Sequence, residues 1–227
     1  MEAIRLPRQS NKQSIATRRS GAQIGKTSKE MKKVLGSSHS IIWSYFSLLR
    51  NLSFHSTEIT NTNEKRENNL LVILMSVTVV ETFYNIYFSL LVSDKKYRKH
   101  REKILKDVKN SNFSLEKKLK EWPILLFDKN IEFGAGIGQK FSNLKNLRNK
   151  LLHFLPEYKN LEFSDIKIES VVDISIYNNL DKFNATNCPS MILDFISELF
   201  IIANCPKEKV GHQIHIWFGD LSRIKLK

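Results

Sequence analysis

The chain has 227 residues, room for one large domain or a domain with an appendage, and its 41% hydrophobic and 26% charged content is that of a globular protein rather than a disordered one. Eight glycines and five prolines exclude a collagen-like or low-complexity chain, while two cysteines, Cys188 and Cys205, exclude a disulfide scaffold and suit a reducing, cytoplasmic compartment. A net charge of +13 favours a polyanionic partner, either nucleic acid or an acidic membrane surface.

Charge is concentrated at the start: residues 1–40 hold nine Lys or Arg against Glu2 and Glu30. The first 28 residues are rich in Ser, Gln and Arg, with isolated apolar residues and no period, so 1–28 is expected to be a basic, disordered arm and 29–227 the folded domain. No apolar run of signal-peptide length occurs in the arm, so no secretory leader is expected; a mitochondrial transit peptide would share the arm's composition.

Residues 41–54 form a compact apolar segment. Residues 66–92 make the longest expected helix, with Ile73, Val77, Val80, Tyr84, Tyr87 and Leu91 stepping by three and four. Its apolar run, Leu70–Val80, is about half the roughly 20 residues that a bilayer requires. Extending it brings in Glu81 and Asn85, which share one stripe with Thr78 and Ser89. A helix of this kind is expected to be buried in protein with its polar stripe facing a site or partner, and no membrane span is expected.

Ser93 is expected to cap a charged segment over 94–109, read as a solvated helix face that can also meet RNA backbone. Trp122-Pro123 is expected to break the helical pattern. Gly134, Gly136 and Gly138 predict a turn: a dinucleotide fingerprint would need glycine at Gln139, and no P-loop Lys-Ser/Thr follows. The helical period resumes over 139–155. Residues 166–176 alternate as a strand, 189–203 predict a last helix, and Ile214, Ile216 and Phe218 alternate weakly as a short strand. Cys188, Cys205, His212 and His215 lack the paired spacing of common zinc modules, so no metal site and no cofactor are expected.

The sharpest local feature is Arg148-Asn149-Lys150-Leu151-Leu152-His153. Leu144, Leu147, Leu151 and Leu155 define the core face of its helix, with Asn149 and His153 on the opposite side and Arg148 on the flank. A solvated face with an incidental histidine would show the same spacing.

This pattern of Arg, a polar residue, three more residues and His near a helix end resembles the motif of the HEPN superfamily. Glu81-Thr82-Phe83-Tyr84-Asn85 in the long apolar helix is similar to that family's earlier core helix. Ser114-Leu115-Glu116-Lys117-Lys118-Leu119 and the glycine loop before Phe141-Ser142-Asn143-Leu144 extend the resemblance over about 41–203. The strand at 166–176 and the basic arm are not general features of the family.

The resemblance implies an all-α helical bundle that forms a homodimer, to which the alternation over 166–176 adds an expected small β element in the C-terminal part. It also implies a metal-independent endoribonuclease, with a toxin–antitoxin or antiphage setting and a cognate antitoxin or defence partner; other members only bind RNA or nucleotides. The residues carried over are Arg148, His153 and Asn149, supported by Glu81. Chemistry gives the roles a basis. A neutral imidazole takes a proton from a ribose 2′-OH, the alkoxide attacks the adjacent phosphodiester, and a guanidinium stabilises the charge on phosphate. The nucleophile belongs to the RNA, so no metal is required, and DNA is refused. A second, protonated histidine would serve the leaving oxygen, which gives dimerisation a rationale. Asn149 orients phosphate or imidazole, or is a surface amide. Glu81 pairs with Arg148, or with another basic residue. Lys145 and Lys150 track phosphates, or are ordinary exposed lysines. A non-catalytic binding module and a membrane-associated protein remain the alternative readings.

Overall fold

The computed structural model describes residues 26–110, 113–152, 159–163, 166–171, 174–219 and 221. Eight α-helices occupy most of them: α1 Lys26–His55, α2 Thr62–Leu91, α3 Arg101–Lys109, α4 Leu115–Phe127, α5 Gly136–Leu152, α6 Ser175–Asn178, α7 Cys188–Ile202 and α8 Lys207–Phe218. Strands β1 (Lys159–Phe163) and β2 (Ile166–Val171) pair antiparallel, with Leu161 opposite Ile168 and Phe163 opposite Ile166. The chain is all-α in class, and this hairpin is the only sheet among the described residues. Two units divide within α1, one ending at Leu35 and the other running from Gly36. Of the expected arm, 1–28, residues 1–25 lie outside the described residues and 26–28 belong to α1 rather than to a disordered segment.

The second unit is organised around α2. Asn61 begins it by accepting hydrogen bonds from the Asn63 and Glu64 amides, satisfying donors that a helix start leaves orphaned. The positions expected to face the core do so: Ile73, Val77, Val80 and Tyr84 are buried. Helices α3, α4, α5 and α7 all pack on α2, and α7 also packs on α5 and α8. Both α2 and the Ala185–Ile202 stretch containing α7 are long and apolar enough to cross a bilayer. In this fold they supply much of the core, including Val72, Phe83 and Phe88 from α2 and Ile192, Phe195 and Leu199 from α7.

Several local expectations are corrected. Helix α4 continues through Pro123. The proline removes the donor that would reach the Leu119 carbonyl, yet Trp122, Pro123, Leu126 and Phe127 are all buried on this helix, and Trp122 Nε1 donates to Asp107 Oδ2 at 3.2 Å. Burial of large side chains on both sides of the proline outweighs one lost backbone bond. The expected strand at 214–218 is helix α8, whose buried residues Val210, Ile214, Trp217 and Phe218 follow a helical spacing. Strand β2 stops at Val171, and Ile176 belongs to α6. Ser93 does not cap a helix; its hydroxyl donates back to the Ser89 carbonyl, and α3 starts only at Arg101.

The glycine loop is also shorter than expected. Gly136, with φ of +57°, opens α5, and Gly138 lies inside its first turn. A Cβ on Gly138 would overlap the Glu132 carbonyl, so the absence of a side chain lets the start of α5 dock against the preceding loop.

Candidate functional site

A cleft of about 540 Å³ is lined by α2, α4 and α5, with Val108, Asn110, Phe113 and Ser114 completing its wall. Helix α2 supplies Glu81 and Asn85, one turn apart on the polar stripe. The rest of that stripe is satisfied within the helix, since Thr78 and Ser89 donate to the carbonyls of Leu74 and Asn85. From α5 come Lys145, Arg148 and Asn149, which share one face, while Phe141 and Leu144 face the core. Helix α4 adds Leu115, Glu116 and Lys118, with Ser114 accepting from the Lys117 amide at its start.

The charges pair in a definite way. Lys118 Nζ lies 3.4 Å from Glu81 Oε1 and also stands over the Trp122 ring. Lys145 Nζ lies 2.9 Å from Glu116 Oε2, and the other oxygen of Glu116 takes Lys120 at 2.7 Å. Hydrogen bonds from Lys120 and then Lys145 pull the Glu116 carboxyl down to about 2. Arg148 donates to Asn149 Oδ1 at 3.0 Å and has no carboxylate partner among the described residues. Its remaining N–H groups suit an incoming anion. Asn85 Oδ1 is buried with no hydrogen-bond partner among the described residues.

The structure therefore brings Glu81, Arg148, Asn149 and Lys145 to one cleft, gives Glu81 the second of its two expected partners, another basic residue, and corrects the expected role of Lys145. Glu81 holds Lys118, not Arg148. Lys118 is almost fully buried, and a buried ammonium without a counterion costs far more than a half-exposed guanidinium facing a cleft. Lys145 is buried in an ion pair rather than presented on an open face. Lys150 is exposed and does not line the cleft. His153 and Leu155 lie outside the described residues.

The chain matches no protein-family model, no curated protein and no solved structure.

Lys118 and Glu116 were not singled out as site residues, although the sequence carries a signal for Lys118. It shares a helical face with Leu115, Leu119 and Trp122, so it falls on the apolar side of α4 and requires an acid from another element. Among the described residues no cluster of three or more His, Cys, Asp or Glu could hold a metal. Cys188, one member of the zinc set weighed from sequence, is buried in α7, where burial pushes its thiol up to about 11.

Proposed function

We propose that this chain is a HEPN-like, metal-independent endoribonuclease that works as a homodimer in a toxin–antitoxin or antiphage setting. The observation that carries this reading is Arg148, placed in a cleft with no carboxylate committed to it while the neighbouring lysines are neutralised by Glu81 and Glu116. A guanidinium in that position is available to the non-bridging oxygens of a phosphodiester. Asn149, which accepts its hydrogen bond, holds its orientation. In the proposed reaction His153 removes the 2′-hydroxyl proton, the alkoxide closes on phosphorus, and the 5′-oxygen leaves. Arg148 stabilises the charge that builds on phosphate, and the second chain's motif provides the acid.

Incubation of purified protein with total RNA in EDTA tests this, comparing wild type with His153→Ala. The expected result is cleavage that leaves 5′-hydroxyl and 2′,3′-cyclic phosphate ends and falls by about 10² or more in the variant. Cleavage abolished by EDTA and restored by magnesium would discard the mechanism.

A non-catalytic RNA- or nucleotide-binding module is the second reading, favoured by the cleft volume, which lies within the roughly 300–1,000 Å³ of small-molecule sites. Tight nucleotide binding in a protein that leaves RNA intact would select it.

A further inference from the structure

The basic segment before the cleft carries a second, connected feature. Lys99, Lys103, Lys106 and Asn110 are spaced four, three and four residues apart, so they lie along one side of the 3₁₀ turn Arg98–His100 and helix α3. All four are exposed, and Asn110 lines the cleft. Lys103 meets Glu121 at 3.8 Å in an exposed pair, the kind that contributes little. Lys99 and Lys106 have no carboxylate partner among the described residues.

At the cleft end stands Phe113. It is half-buried, lines the cleft, and lies nearly parallel to the Trp122 ring, 9° apart with centroids at 6.2 Å. Trp122 is fully buried and fixed by its hydrogen bond to Asp107. Phe113 is therefore an aromatic surface backed by Trp122, with Lys117 Nζ 5.9 Å from its ring centroid, in the cleft that Arg148 also lines.

We infer that the cleft receives single-stranded RNA whose backbone runs along Lys106, Lys103 and Lys99 and whose base at the cleft stacks on Phe113. This rests on the reading of the cleft as an RNA site and extends it to the path of the strand. An evenly spaced row of cations follows a phosphate backbone, and an aromatic face accepts any unstacked base. A duplex keeps its bases stacked and offers none to Phe113. An anionic bilayer would also attract the lysines, but surface-bound helices add apolar anchors. Helix α3 has none, because Ile104 is buried and no large exposed hydrophobic residue lies on it.

The test uses the full chain and a fluorescent single-stranded 2′-O-methyl oligoribonucleotide, which keeps phosphates and bases but lacks the hydroxyl that cleavage requires. Replacing Lys99, Lys103 and Lys106 together by Gln should weaken binding at least ten-fold and lower the slope of log affinity against log salt by about 2, the single-strand value for three cations. Phe113→Leu should weaken binding about five-fold or more with the slope unchanged, and Phe113→Trp should keep the affinity and the fold. Wild-type affinity in the triple variant would overturn the inference. Equal affinity of Phe113→Leu and wild type, or capture on anionic vesicles with no oligonucleotide binding, would do the same. A wild type that binds in this manner yet leaves RNA uncut in EDTA would sink the nuclease reading and keep this one.

Discussion

Lys118 Nζ reaches Glu81 Oε1 across 3.4 Å and so ties α4 to α2 within the cleft. Of the two partners expected for this carboxylate, Arg148 or another basic residue, it takes the second, a lysine that has almost no contact with water. Glu81 thus acts on the fold first, and its effect on chemistry passes through the position of α4.

Glu81→Gln should lower stability by about 1–3 kcal/mol, because it leaves the Lys118 ammonium buried without its counterion. Urea unfolding measures the loss. Adding Lys118→Met should recover most of it, since a thioether chain fills the same volume without charge. No recovery would show that Glu81 stabilises through some other contact.

Acid should loosen the join between α4 and α5. The Glu116 carboxyl is held at about 2 in the fold, against an ordinary value of 4.5. A depressed carboxyl contributes stability that is complete above the unfolded value and is lost as pH falls towards the folded one. Urea midpoints should therefore fall as pH drops from 4.5 to about 2, with a smaller fall in Glu116→Gln. The half-exposed carboxylate keeps the difference modest.

Two glycines on either side of the start of α5 should respond differently to alanine. Gly138→Ala drives a methyl group into the Glu132 carbonyl and should cost about 1–3 kcal/mol. A Cβ on Gly134 meets nothing within 4 Å, so Gly134→Ala should be neutral or slightly stabilising. Thermal melts of the two variants side by side check the contrast.

Leu152, the last residue of α5, is 50% exposed. If two chains meet near the motif, a charge there enters a two-fold interface twice. Leu152→Glu should then give monomers by analytical ultracentrifugation and lose RNA cleavage while Arg148 and His153 remain. A wild-type protein that is monomeric at high concentration and still cuts RNA would remove the shared cleft.

Features that repeat along the chain were legible in the sequence. The spacing of Ile73, Val77, Val80 and Tyr84 located the buried side of α2, and the Leu144–Leu147 spacing located that of α5. Errors arose where packing across the chain overrode a local signal. Pro123 marks a break by its own chemistry, but Trp122 and Phe127 are buried on either side of it. Ile214, Ile216 and Phe218 alternate as a strand would, while the buried set is Val210, Ile214, Trp217 and Phe218. That Glu81 pairs with a basic residue was legible, but not which one, because Lys118, Lys145 and Arg148 all line its cleft and their relative burial is a property of the assembled helices. The N-cap at Asn61 could have been read, since an asparagine before a helical run is a start signal.

Asn85 gives the cleft wall a standing handicap. Its Oδ1 is buried and meets no donor among the described residues, and leaving such a group unmet costs about 1–3 kcal/mol. Leucine, close in size and with nothing to satisfy, would make the molecule harder to melt. Selection in the laboratory for heat resistance alone should therefore discard Asn85 early. Selection for whatever occupies the cleft should keep it, and comparing the survivors of the two regimes would separate residues that build the fold from residues that the fold merely tolerates.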